Sequence, residues 1–381
     1  MDWLSGSKKG EINRLINLLS DSKHRDAAIE ELTRRGMEST PNLIAALQTE
    51  DQALVSAIQQ ILVCIPGTES ALVSAFQSAH PIVRGWTAEI LGRRRDQSTI
   101  PILLSGLDSE FFTVRAKSAL ALAEIQDPSI ISNLLPLLRD PQAMVRSAAC
   151  TAVGSFRNPE TFDEIANVLL EDQKIEVRQS AVRSLAEARH PSVIPFLMDA
   201  LRDSFWWYER EQAVSVLFES MVKMGELMLD PLLEALEDPE RTVRKFSAML
   251  LGRIGHPRAI EPLANSLYDL HHEVGRAAAE ALASFGSEGL DPLLEALRHP
   301  EVGVRSIIVE ALANVQDARV APELIRSLAD PDRGIRKLAI QFLTRAPDPR
   351  ALSALQGIAA DRSDRELSTL AKQALAAQQA R

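Results

Sequence analysis

The 381-residue chain is expected to be all-α: an α-solenoid, wound as a right-handed superhelix from about twelve stacked two-helix repeats. Three observations predict this. An arginine recurs at Arg84, Arg115, Arg146, Arg178, Arg210, Arg244, Arg305 and Arg336, in steps of 31, 31, 32, 32, 34, 61 and 31 residues, the 61 being two repeats. Apolar residues recur at helical spacing within each interval. Composition agrees: 46% of residues are hydrophobic but only 4% aromatic, which suits thin Ala/Leu layers rather than one globular core.

The empty rung in the 61-residue step is filled by Val274-Gly275-Arg276, with glycine in the arginine column. Outward continuation gives slots at Arg25, Val55 and Ser368. Degenerate slots belong near chain ends, where a repeat has a neighbour on one side only.

Each repeat reads as two helices. In the first, Ile131, Leu134, Leu135 and Leu138 form one stripe at i, i+3, i+4 and i+7. Pro101, Pro195, Pro231, Pro262, Pro292 and Pro322 sit in the first turn of such helices, where the missing N–H is not needed. Pro136 lies mid-stripe and predicts a kink. The second helix opens at the arginine slot and places small or apolar residues at +3, +6 and +7, as Ala149, Ala152 and Val153 follow Arg146. An acid column, Asp140, Asp172, Asp203, Asp238, Asp269 and Asp330, ends the first helices. Because each arginine travels with an acid, the expectation is an ion-pair ladder between repeats rather than a row of anion-binding arginines.

Asp140-Pro141 with Val145-Arg146 and Ala149, and Asp330-Pro331 with Ile335-Arg336 and Ala339, resemble the HEAT repeat. More narrowly they resemble the short bacterial HEAT-like repeats named after phycobilisome lyases. The joining loops Asp127-Pro128, His190-Pro191, His256-Pro257 and Asp348-Pro349 fit the same pattern, and the resemblance runs from about residue 11 to 378. It implies a repeat scaffold. It leaves function open, since the family includes scaffolds, adaptors, chaperones and a few bilin lyases.

One continuous body over residues 1–381 is expected, with an N-terminal extension at 1–10 and a bend near 220–228, where the arginine step lengthens to 34. The N-terminus lacks the apolar core of a secretory signal, and no apolar run is long enough to span a bilayer, so a cytoplasmic protein is expected without membrane insertion. A net charge of −10 argues against general nucleic-acid binding. Arg93-Arg94-Arg95 is one small basic cluster, and it reads as a solvated loop. Cys64 and Cys150 are the only cysteines and form no metal-ligand or disulfide pattern. His271-His272 lacks further ligands at metal spacing, and no nucleophile, phosphate-loop or dinucleotide motif occurs. No catalytic residue and no cofactor is expected.

Two surfaces stand out instead. The turn Phe205-Trp206-Trp207-Tyr208 holds two of the four tryptophans and one of the two tyrosines. It either covers the seam between repeats or forms a binding hot spot. Phe111 and Phe112 occupy the corresponding turn three repeats earlier. The second surface is the face of the second helices at +1, +2 and +5, the concave side in stacks of this kind, which carries Trp86, Lys117, Gln212, Phe246, Met249, Ile307 and Leu338. These residues suit a partner helix or an apolar ligand. The function expected is a non-catalytic scaffold, adaptor or assembly chaperone gripping a protein partner. The alternative drawn from the resemblance is a bilin lyase or tetrapyrrole-handling protein, with a bilin as ligand and a phycobiliprotein as partner.

Overall fold

The computed structural model describes residues 2–78, 80–206 and 211–379, and at residues 2–9, 211–213 and 379 it describes the backbone alone. Among the described residues the regular structure is helical throughout, without a strand.

Most repeats open on a single 3-10 turn. The first helix comes next, then a turn, then a longer second helix. In residues 128–154 these are Pro128–Ile130, Ile131–Leu134, Leu135–Arg139 and Ala143–Gly154. The expected disturbance at Pro136 is present: the α-helix stops at Leu134 and the chain tightens into a 3-10 turn. The opening turn explains why Asp and His alternate before proline. The residue must offer an acceptor to the N–H two residues on. Asp127 and Asp348 do so with a carboxylate oxygen, at 3.0 and 2.9 Å, and His190 and His256 with Nδ1, both at 3.2 Å.

The +3, +6 and +7 positions of the second helices form the core. Thr87, Ile90 and Leu91 are buried, as are Ser118, Ala121 and Leu122, then Ala149, Ala152 and Val153, then Ser247, Leu250 and Leu251. Successive second helices approach closely at +8. A Cβ on Gly92 would lie 2.5 Å from Ala121 Cα, and one on Gly252 would lie 2.8 Å from Ala281 Cα, so both positions exclude any side chain.

The ladder between repeats is present, and it is built more fully than spacing alone predicts. Arg115, Arg146, Arg244 and Arg305 each place two nitrogens on the carboxylate of the next repeat's acid, Asp140, Asp172, Asp269 and Asp330, at 2.6–3.0 Å. The third guanidinium nitrogen turns back onto the repeat's own turn: Arg146 Nη1 donates to the Asp140 carbonyl at 2.8 Å. Asp140 therefore ties two rungs together, taking Arg115 on its carboxylate and Arg146 on its carbonyl. Its carboxylate also accepts from Gln142 N–H at 2.8 Å, closing the turn rather than capping the next helix. Burial pushes the Asp140, Asp172, Asp269 and Asp330 carboxyls up. The arginine hydrogen bonds and the backbone N–H of each turn outweigh it and hold all four below the ordinary 3.8.

Gly275 and Arg84 depart from the pattern in ways the pairing explains. Gly275 stands in the arginine column, and the turn one repeat later carries His299-Pro300 instead of Asp-Pro, so both partners are missing together. His299 keeps the turn-closing role, accepting from Glu301 N–H at 3.2 Å, and its carbonyl accepts from Arg305 Nη1 at 2.8 Å. Arg84 keeps the arginine but meets Ser109 in the acid column. Its Nε is buried without a hydrogen-bond partner.

By internal contacts the chain forms two compact units, Met1–Phe196 with Glu209–Ser220, and Leu197–Tyr208 with Met221–Arg381. Residues 2–10, expected as an extension, lie in the first helix Asp2–Leu18. Within the second unit Gly225, at φ +59°, comes after the helix Glu211–Met224 and starts a short 3-10 turn.

Candidate functional site

In the first unit, the second helices Gln52–Cys64, Pro81–Arg94, Phe112–Ile125 and Ala143–Gly154 pack in sequence. Trp86 stands at the +2 position of the second of these, half-buried. From the next repeat Lys117 crosses over it, with Nζ 3.4 Å from the indole centroid. Gly85 makes that crossing feasible, because a Cβ there would meet Lys117 Cδ at 2.7 Å. Lys117 Nζ also donates to Glu89 Oε1 at 2.6 Å, and Glu89 Oε2 accepts from Gln59 Nε2 at 2.5 Å. Three repeats thus contribute one residue each to a polar chain, Gln59–Glu89–Lys117, with Trp86 as its apolar floor. Burial pulls the Lys117 ammonium below its ordinary 10.5 and the Arg93 charge adds to this, while Glu89 opposes both.

Two cavities flank the chain of contacts. The smaller, about 350 Å3, is lined by Glu50, Ile82, Trp86, Thr113 and Lys117 among others. The larger, about 690 Å3, runs from Glu89 along the C-terminal ends of the helices Pro81–Arg94, Phe112–Ile125 and Ala143–Gly154, with Arg93, Arg95, Glu124, Phe156 and Arg157 on its wall. Arg95, Gln126 and Arg157 line this cavity and all have positive φ, 53°, 60° and 50°, as does Arg189 at 49° one repeat further on. They stand at +11 from their arginine slots, the position that Gly255 and Gly286 hold in the second unit. The left-handed conformation costs a residue with a Cβ about 1–3 kcal/mol, and glycine avoids that cost.

The sequence-based candidates fare unequally. Trp86 is where the helical phase put it. The cluster Arg93-Arg94-Arg95 is not a solvated loop: the helix runs through Arg94. Arg94 is held by the Leu62 and Ile65 carbonyls at 3.2 and 3.1 Å, by Thr68 Oγ1 and by Glu69. Arg93 and Arg95 alone face the cavity. Trp206 is 0% exposed and so is core, not contact surface. Phe205 is half-buried behind an Asp203 turn that accepts its N–H at 2.9 Å, and Trp207, Tyr208 and the Gln212 side chain lie outside the described residues. Ile307 is also misassigned as a groove residue. It is 3% exposed because Gly275 leaves room for it, its Cδ1 lying 3.0 Å from where a Gly275 Cβ would be.

Phe246 and Met249 are half-buried on the helix Arg241–Ile254. Leu338 is half-buried on the wall of a 240 Å3 cavity, beside Phe342 and Val309. Phe111 is half-buried as the N-cap of its helix, and Phe112 is 41% exposed. Glu89 and Gln59 escape a reading of the sequence, although each stands about one repeat from its partner. No three His, Cys, Asp or Glu residues converge as metal ligands among the described residues. His271 serves the ladder, with Nδ1 3.2 Å from Arg244 Nη2. No helix among the described residues is long and apolar enough to cross a membrane.

Comparison with known proteins agrees with this geometry. The family model of HEAT repeats matches residues 68–143, 131–217, 229–303 and 290–376. A deoxyhypusine hydroxylase of Emericella nidulans is 27% identical over 283 residues, 71% of this chain and 80% of that protein. Phycocyanobilin lyase subunit beta of Thermosynechococcus vestitus is 31% identical over 107 residues, 28% of this chain and 48% of that one. Among solved structures, karyopherin Kap121p bound to the extreme C-terminus of the protein phosphatase Cdc14p is similar at a TM-score of 0.57 and 13% identity, over 97% of this chain and 50% of that chain. This chain therefore spans half the length of that karyopherin and about half that of the lyase subunit. With the ladder, the two-helix unit and the family match in agreement over most of its length, the chain belongs to the HEAT-repeat family.

Proposed function

We propose that the protein is a non-catalytic scaffold or adaptor that binds a partner protein on the second-helix face of its first unit. The observation that carries this reading is Trp86: a half-buried indole on the wall of the 350 Å3 cavity, with a cation held over its ring. Tryptophan is enriched among the residues that dominate interface energies, and a fixed platform loses little entropy on binding. The karyopherin holds the C-terminus of another protein, and at 13% identity its likeness to this chain speaks for fold alone. Two free cysteines, Cys64 and Cys150, suit a reducing compartment, and we place the role in the cytoplasm. The test is a photo-crosslinking residue in place of Trp86, with Arg189 as the control position off both cavities. A partner captured through position 86 and not through 189 supports the reading, and equal capture at both sinks it.

A second reading, tetrapyrrole handling, is favoured by the 31% identity to a phycocyanobilin lyase subunit. Its test is separate: purified protein mixed with a bilin gains a shifted visible absorbance band, and a Trp86→Ala variant loses it.

A further inference from the structure

We propose that the 690 Å3 cavity at the C-terminal ends of the helices Pro81–Arg94, Phe112–Ile125 and Ala143–Gly154 is a receptor for an acidic segment of the partner protein, gripped by Arg93, Arg95 and Arg157. The proposal rests on the partner-binding reading and names the chemistry of what is bound.

Three observations converge on this cavity. The first is charge. The chain carries a net −10, yet three arginines line this wall against two acids, Glu89 and Glu124. Glu89 is already neutralised by Lys117 at 2.6 Å. Glu124 pairs with Arg95 at 3.3 Å in an exposed contact that a stronger acceptor displaces. Arg93 and Arg157 have no ion-pair partner among the described residues, whereas Arg115, Arg146, Arg244 and Arg305 of the ladder are all paired. Two unpaired guanidinium groups and one exchangeable one recognise carboxylates, whose geometry matches the guanidinium fork.

The second observation is conformational. Arg95 and Arg157 hold left-handed backbone at a position where Gly255 and Gly286 show that glycine serves the fold. Of the four side-chain-bearing members of that column, Arg95, Gln126 and Arg157 line this cavity and Arg189 does not. The third is shape. Leu120, Ala121, Ala123 and Phe156 give the cavity an apolar surface between the arginines, which suits a segment that alternates acidic and apolar residues rather than a bare anion.

The test uses the full chain and a fluorescein-labelled peptide of alternating glutamate and leucine, read by anisotropy at about 50 and 300 mM salt, a range over which surface charge interactions are progressively screened. Saturable binding is expected, at least fivefold weaker at the higher salt. The Arg93→Ala/Arg157→Ala variant should bind at least tenfold more weakly. Arg189→Ala, in the same left-handed column but off the cavity, should stay within twofold. Arg157→Gly should lose at least threefold in binding with no fall in melting temperature, because it relieves the backbone while removing the ligand group. Absence of saturable binding to the native chain, binding by the double variant within twofold of native, or equal binding of a lysine–leucine peptide each overturns the proposal. If the peptide fails while a partner still crosslinks through position 86, this proposal falls and the scaffold reading stands. Failure of both removes both.

Discussion

Replacing Arg146 by methionine should cost about 3 kcal/mol, and the structure shows why that figure is neither zero nor ten. The substitution keeps the aliphatic stem and removes four hydrogen bonds: two to Asp172 at 2.6 and 3.0 Å, one to the Asp140 carbonyl at 2.8 Å and one to the Pro141 carbonyl at 3.3 Å. It strands a carboxylate whose side chain is 6% exposed and which retains one backbone donor, Lys174 N–H at 2.8 Å. Breaking a buried pair from one side costs about 3–5 kcal/mol. The Arg146 side chain is 16% exposed, so water recovers part of the loss and the low end applies. Adding Asp172→Asn removes the stranded charge and should return about 2 kcal/mol, a coupling within the range of contacting pairs. Arg84→Met is the internal control. That arginine has a serine, Ser109, at its acid-column position, its buried Nε has no hydrogen-bond partner and its guanidinium lies over the Phe76 ring at 5.8 Å, so its loss should cost under about 1 kcal/mol. The assay is urea unfolding followed by circular dichroism, with hydrogen exchange on the helices Ala143–Gly154 and Phe162–Glu171 to localise the effect, since repeat proteins lose neighbours before they lose the whole stack. An Arg146→Met cost below about 0.5 kcal/mol, or one equal to that of Arg84→Met, would refute the ladder as a stabilising device.

Three further outcomes are expected. Because the four ladder aspartates have folded pKa values below the ordinary 3.8, their stabilisation is complete above about pH 5 and is lost as pH falls through those lowered values, so the melting temperature should be flat near neutrality and drop below about pH 4, less steeply in Arg146→Met. Cys64 is exposed, while Cys150 is buried and its thiol is pushed up to about 12 by burial, so a thiol reagent should titrate one group in the native protein and two in denaturant. Trp206→Ala should lower stability by about 3–5 kcal/mol, as truncation of a fully buried aromatic does, and a folded variant of near-native melting temperature would restore the turn as a surface site.

The repeat, the ladder and the core positions were legible because each is periodic: a residue that means little once means a great deal at eight slots about 31 residues apart. The same logic would have joined Gln59 and Glu89 to Lys117, the three standing 30 and 28 residues apart. Each alone resembles a solvated helix residue, and only their stacking across repeats makes a buried chain of contacts. Ile307 was misread for the opposite reason. Its burial is set by a local irregularity, a glycine in the arginine column beside it, while the buried Trp206 fits the seam-covering alternative for its turn. A periodic reading averages such departures away.

The left-handed column shows what periodicity yields once the backbone is known. Positions 95, 126, 157, 189, 255 and 286 share one register and one backbone sign, so the fold's requirement is the same at each. Glycine at 255 and 286 meets that requirement without strain. Arg95, Gln126, Arg157 and Arg189 meet it at a cost of about 1 kcal/mol or more apiece. A fold under selection for stability alone gains by exchanging all four for glycine. That two of the arginines converge on one cavity, with Arg93 beside them, is the reason to seek the partner's chemistry there rather than at the more conspicuous aromatic turn.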